Sequence, residues 1–378
     1  MTPNAVARAL SKARASRRRI LDLTESNPTR AQLPYDRRAI VAALAPSGSL
    51  VYEPTPFGLA AARLAVSRHL AAQGVDVDPS RIVLTASTSE AYAFAFKLLC
   101  DPSDEVLVPR PSYPLFEHLA ALESVRPIGY RLAYDGTWHV DLPSVRAALS
   151  PRTRAIVCVS PNNPTGSYVK RDELVALAAL GLPIVGDEVF ARYPFRPDPA
   201  RAESVLNARG APLVVALGGL SKGAALPQMK LAWMALAGDD ARVEEALQRL
   251  ELVADAFLSV GGPVQNGTSA LLAAGAITEA AIRERTRSNL VWLRAAVTGS
   301  TASVLDVEGG WYAVVRVPRT RSEESWAIAF LESDDVLVHP GQLFDFETEA
   351  HLIVSLLTPE ATFREGATRI LERLARET

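Results

Sequence analysis

Five short apolar bursts, alternating with helical patterns, restrict this chain more than any other feature. They are "RIVLT" (81–85), "EVLVP" (105–109), "RAIVCVS" (154–160), "PIVGDEV" (183–189) and "PLVVAL" (212–217). Runs rich in Val and Ile, too short for helices and bounded by Pro, Gly or Asp, read as strands buried on both faces. The amphipathic segments "EAYAFAFKLL" (90–99) and "RDELVALAAL" (171–180) lie between them. The alternation predicts an α/β chain with a mainly parallel sheet between helices. After about residue 270 the texture changes to a long helical stretch. Then come "GGWYAVVRV" (309–317), "DVLVHPG" (335–341), "AHLIVSLL" (350–357) and a final helix. That part reads as a smaller α+β lobe, with the N-terminal arm packed beside it. The expected division is 1–45 for the arm and its small-domain segment, 46–270 for the large domain and 271–378 for the small one.

In an open parallel sheet, ligands sit beyond the carboxyl ends of the strands, so the residues there are the ones to inspect. After the first burst, Ser87, Thr88 and Ser89 open a helix. Small hydroxyl residues with exposed N–H groups at the positive end of a helix dipole suit a phosphate, and serve equally as plain helix caps. After the second burst comes "RPSYPLF", which offers the ring of Tyr113; after the third, "PNNPTG" holds Asn163 in a rigid turn. Asp187 ends the fourth burst, where a buried carboxylate requires a cationic partner. Lys222 follows the fifth, in "GGLSKGAALPQMKLAW" (218–233), with Lys230 eight residues on. One ligand suits this set: a flat ring with a phosphate at one end and a protonatable nitrogen at the other. Pyridoxal 5'-phosphate answers that description. Lys222 would form an imine with its aldehyde, and Asp187 would hold the ring nitrogen protonated. Tyr113 would stack on the ring, and Asn163 would bond the ring oxygen.

Composition narrows the partners. A formal net charge of −2 over 378 residues lacks the basic surface that nucleic-acid binding requires. The five histidines show no metal-ligand spacing, and no apolar run reaches the roughly 18 residues of a membrane span. Cys100 and Cys158, both inside apolar runs, fit reduced thiols and a cytoplasmic setting. The start of the chain lacks a signal-peptide core. Up to Leu21 it carries Lys12 and Arg8, Arg14, Arg17, Arg18 and Arg19 without an acidic residue, a bias that transit peptides share. It reads here as a helical arm with a solvated basic face.

The sequence resembles the class I/II aminotransferases of the fold-type I pyridoxal-phosphate enzymes. In family order the resemblance runs through "ESNPT" (25–29), "YEPTPFGLAAAR" (52–63), "TSEA" (88–91), "PSYP" (111–114) and "NNPTG" (162–166). It continues through "DEVF" (187–190), "LSKGAALPQMKLAW" (220–233), "PVQ" (263–265) and "HPGQLF" (339–344). It implies a large domain built on a seven-stranded sheet, with a small domain formed by the N-terminal arm and the C-terminal segment. It also implies a homodimer with shared active sites, in which Tyr52 reaches the cofactor phosphate of the neighbouring subunit. Amino transfer between a small-molecule amine donor and a carbonyl acceptor is the implied activity.

Four positions depart from the family pattern. Lys230 stands for an arginine on the phosphate, which keeps the charge and loses the bidentate fork. Gly219 replaces a serine, and Phe190 a tyrosine that donates to the ring oxygen. Ile353 stands where the family places the arginine that pairs with the substrate α-carboxylate. Either the substrate lacks that carboxylate or another group takes it; Asn27, a backbone donor and His351, which lies two residues earlier on the same strand face, are the candidates. A pyridoxal-phosphate lyase, decarboxylase or synthase of the same fold, or a cofactor-binding protein without turnover, are the alternatives.

Overall fold

Each Val- and Ile-rich burst becomes a strand whose side chains are buried on both faces. The computed structural model describes residues 4–377. Its strands are β1 (Leu21–Asp22), β2 (Ile82–Thr85), β3 (Glu105–Arg110), β4 (Arg126–Tyr134), β5 (Trp138–Val140), β6 (Thr153–Val159) and β7 (Ile184–Asp187). There follow β8 (Leu213–Gly219), β9 (Ala232–Gly238), β10 (Ser303–Val304), β11 (Tyr312–Arg316), β12 (Val336–Leu337), β13 (His339–Pro340) and β14 (His351–Ser355).

The large sheet runs in the order β2-β9-β8-β7-β6-β3-β4-β5, eight strands where seven were expected. Pairing is parallel from β4 through β3, β6 and β7 to β8; β9 is antiparallel to both of its neighbours, and β5 is antiparallel to β4. The β4–β5 hairpin on the sheet edge has no apolar burst, because Pro127, Gly129 and Arg131 interrupt β4. One apolar layer includes Leu107, Ile156, Ile184 and Val214, and the opposite one Val106, Val157, Val185 and Val215. Neighbours in sequence thus face opposite sides of one sheet.

The C-terminal part forms a second sheet, β10-β11-β14-β13, over a core with Trp326, Phe330 and Phe363. The N-terminal arm joins it, since β1 pairs with β12 and the helix Ala5–Ala15 packs Ala9 and Ala13 near Leu331 and Leu337. Part of the arm's basic face is paired: Arg18 meets Asp335 at 2.5 Å and Arg19 meets Glu365 at 3.3 Å. The position at 270, expected to separate the lobes, falls inside one 35-residue helix, Gly262–Ala296. Among the described residues no helix is long and apolar enough to cross a membrane.

Candidate active site

The parallel register places the chemistry. Asp187, the last residue of β7, pairs with Val159 of β6 on one side and Leu217 of β8 on the other. The turn carrying Asn163 therefore leaves β6, and the turn carrying Lys222 leaves β8, beside the same strand end. Asp187 is 8% exposed. Its Oδ2 accepts from the Tyr92 hydroxyl at 3.2 Å and its Oδ1 from the Val189 N–H at 3.1 Å. Burial pushes its pKa up to about 6, against the lowering pull of those two donors and of Lys222. An acid so placed suits a cationic ring nitrogen, whose charge would restore full ionisation.

Lys222 is half-buried, and desolvation pulls its pKa down to about 8 although Asp187 and Glu25 both favour the charged form. Its Nζ donates to the Ser26 carbonyl at 3.3 Å and lies 4.7 Å from the Trp311 ring centroid and 5.6 Å from that of Phe190. The Tyr193 hydroxyl donates to the Lys222 carbonyl at 2.6 Å, which fixes the backbone beneath the amine. A lysine held near neutrality between an acid and aromatic faces is chemically a nucleophile and proton carrier.

Asn163 is 8% exposed, and its Oδ1 is buried without a hydrogen-bond partner among the described residues. A polar atom left unpaired in a buried turn points to a missing ligand. The turn itself is braced by Asn162, whose Nδ2 donates to the Pro111 carbonyl at 3.0 Å and to Thr165 Oγ1 at 2.9 Å. Asn162 Oδ1 accepts from Ser112 Oγ at 2.7 Å. That network ties the Asn163 turn to the segment bearing Tyr113, which is half-buried and packs edge-on to Phe116.

Ser87 caps the helix Thr88–Leu99, its Oγ accepting from the Glu90 N–H at 3.2 Å and its carbonyl from the Ala91 N–H at 3.0 Å. The remaining first-turn donors are the N–H groups of Thr88 and Ser89, where an anion would bind. Lys230, exposed and left-handed at φ 51°, opens the way into β9. A Cβ on Gly219 would lie 3.0 Å from Ala232 Cβ and 3.1 Å from its Cα, so a serine there would need the backbone to shift. These residues fit pyridoxal phosphate: an acid for the ring nitrogen, an orphaned amide for the ring oxygen, an amine for the aldehyde and free N–H groups for the phosphate.

The remaining candidates divide. Asn27 is half-buried next to Ser26, but its Oδ1 already accepts from the Thr29 N–H and hydroxyl. Tyr52 is 81% exposed, beside Leu50 at 91% and Val51 at 64%. His351 does not reach the site. It starts β14, paired with Arg316, whereas the site lies at the other end, where Ser355 pairs with Tyr312. Four residues of strand put about 13 Å between them. The His351 ring stacks on Phe346, and its Nδ1 lies 3.0 Å from the Thr348 carbonyl. Ile353 is fully buried in a cluster with Phe190, Trp311, Tyr312 and Phe344.

Sequence reading missed Tyr92, Tyr193, Trp311, Tyr312, Asn162 and Glu25. Only Tyr92 had a usable signal, being one helical turn below Thr88 on the buried face. Asn162 adjoins Asn163 and reads as part of the same turn, whereas Tyr193, Trp311 and Glu25 come to Lys222 from distant segments.

The model of the family "Aminotransferase class I and II" matches residues 18–370. Over 220 residues, 31% of positions are identical to Glutamate-pyruvate aminotransferase AlaA of Escherichia coli (strain K12). That match covers 57% of this chain and 54% of the relative, so the chain spans about half the length of the curated relatives it matches. An S-alkyl-thiohydroximate lyase of Arabidopsis thaliana is 31% identical over 166 residues, covering 42% of this chain and 35% of that protein. The solved alanine aminotransferase from Pyrococcus furiosus superposes with a TM-score of 0.88 at 21% identity, over 99% of this chain and 98% of that one. At that identity the superposition speaks for the fold.

Proposed function

The chain belongs to the class I and II aminotransferase family, and on that premise we propose that it is a pyridoxal-phosphate-dependent aminotransferase in which Lys222 carries the cofactor. Pyridoxal phosphate supplies, when bound, an aldehyde with which amines condense and a ring that takes up the electron pair of a breaking bond. The observation that carries this reading is the convergence of Lys222, Asp187 and the orphaned Asn163 amide at three neighbouring strand ends.

Asp187, oriented by Tyr92 and the Val189 N–H, holds the ring-nitrogen proton. Asn163 would bond the ring oxygen, and Tyr113 would cover the ring face. The N–H groups of Thr88 and Ser89 receive the phosphate, with Lys230 as its cation. The Lys222 amine, whose pKa burial lowers to about 8 so that part of it is neutral, would take the proton from the donor carbon and return it to the acceptor. Asn27 lines the rim next to Ser26. Phe190 and Trp311 exclude water from the amine.

Tyr52 belongs, in this reading, to the phosphate site of a second copy. Its exposure together with Leu50 and Val51 supports a homodimer, which light scattering of the purified protein would test. Two free thiols, Cys100 and Cys158, support the cytoplasm as its compartment. The likeness to a thiohydroximate lyase keeps one other reaction in view. Incubation with a nitrogen-15 amine donor and a 2-oxo acid decides between them. Transfer of the label to the acceptor is expected; release of labelled ammonia without transfer would make the protein a lyase.

A further inference from the structure

The structure assigns Glu25 as the acceptor for a second positive charge on the donor substrate, and we propose that the donor is a diamine-like molecule without a carboxylate at the reacting carbon. This inference rests on the reading of Lys222 as the reacting amine. It starts from what stands around that amine where a carboxylate-binding cation would be needed. The fixed charges acting on Lys222 are both acidic, Asp187 and Glu25. With Asp187 assigned to the ring nitrogen in that reading, Glu25 is the acid left for the substrate.

The position of Glu25 is set by hydrogen bonds. Its carbonyl accepts from Ser355 Oγ at 2.5 Å, and the next carbonyl, of Ser26, accepts from Lys222 Nζ at 3.3 Å. The Glu25–Ser26 segment therefore bridges the end of β14 and the reacting amine. Ile353 lies two residues before Ser355 on the same strand face, and its side chain is fully buried. Glu25 Oε1 accepts from the Asn27 N–H at 2.7 Å, which holds the carboxylate in place in a local turn; among the described residues Oε2 has no hydrogen-bond partner. A substrate carboxylate would meet an acid and an apolar side chain here, with repulsion and desolvation both against it.

The other walls fit a short hydrocarbon stem. Trp311 and Phe190 stand over the amine, their ring centroids 4.7 Å and 5.6 Å from Lys222 Nζ, and Tyr312 lies within electrostatic reach of Glu25 and Tyr113. Aromatic faces accept both methylene groups and a cation. An amine at the Lys222 end, a methylene stem along these rings and an ammonium at Glu25 match every side chain the site presents.

The test uses cofactor-loaded protein and compares 1,4-diaminobutane, n-butylamine and L-alanine as donors, each with the same 2-oxo acid acceptor. The wild type is expected to favour the diamine over the monoamine by about tenfold or more in kcat/KM, worth about 1.4 kcal/mol, with L-alanine the poorest. Glu25→Gln should bring the diamine-to-monoamine ratio close to one, and Glu25→Asp should keep part of it. A second readout needs no cofactor or turnover. In the cofactor-free protein, E25Q should move the pH midpoint for labelling of Lys222 downward, because the negative charge that favours its ammonium is gone. A wild type that prefers L-alanine, or a ratio or labelling midpoint unchanged in E25Q, overturns the assignment. Loss of all donor activity with an intact visible cofactor band would instead overturn the aminotransferase reading.

Discussion

The reactivity of Lys222 in the cofactor-free protein follows from its surroundings and can be measured directly. Burial pulls its pKa from 10.5 down to about 8, against the opposing attraction of Asp187 and Glu25. At about 1.4 kcal/mol per pH unit, that move is worth about 3 kcal/mol in favour of the neutral amine. At pH 7 roughly a tenth of Lys222 is then neutral, against about 0.03% for a lysine titrating at its ordinary value, an advantage of roughly 300-fold in reactive species. The assay is a brief pulse of an acylating reagent between about pH 6 and pH 11, with the modified peptides quantified by mass spectrometry. Lys222 should label with a midpoint near 8. Asp187→Asn removes a charge that stabilises the ammonium, and a carboxylate some ångströms away in an effective dielectric of about 20 contributes about 1–2 kcal/mol. The D187N midpoint should therefore fall by about one pH unit. Because Asp187 titrates near 6, it is ionised through the window in which Lys222 titrates, so the sign is unambiguous. A midpoint near 10.5 in the wild type, or an upward move in D187N, would refute the account of how burial tunes this amine.

Three further outcomes are expected. Asn162→Ala leaves Ser112 Oγ, the Pro111 carbonyl and Thr165 Oγ1 without a shared partner; it should cost about 2–4 kcal/mol in denaturant unfolding and weaken cofactor binding by releasing the Asn163 turn. Ile353→Arg puts a guanidinium into a fully buried position and should destabilise the fold by about 3 kcal/mol or more, while raising kcat/KM for α-amino acid donors relative to simple amines. Lys230→Ala changes an exposed side chain and should leave stability within about 0.5 kcal/mol, yet lower cofactor affinity about tenfold in equilibrium titration. An unchanged affinity would remove Lys230 from the phosphate site.

The sheet was legible because β2 and the parallel strands β3, β6, β7 and β8 are buried on both faces and so read as unbroken apolar runs. The β4–β5 edge was not, since an edge ladder tolerates Pro127, Gly129 and Arg131, and its pairing is fixed by register rather than by local hydrophobicity. In the site, Asp187, Asn163 and Lys222 stood out because strand ends are where an α/β sheet presents its chemistry. Apart from Glu25 and Asn162, the groups that tune them are aromatic or backbone atoms, which carry no distinctive local pattern. Trp311 reads as one more core residue until the fold brings it to 4.7 Å from the amine. Likewise, His351 shares a strand face with Ile353, but spacing alone could not say that its end of β14 points to Thr348 and Phe346.

The central claim is that Lys222 is the residue that bonds the cofactor. Borohydride reduction of the cofactor-loaded protein, followed by proteolysis and mass spectrometry, tests it most directly. The account predicts the cofactor's added mass on the peptide containing Lys222, and its absence in Lys222→Ala. The same mass on Lys230 or any other lysine, or retained in the Lys222→Ala protein, would contradict it.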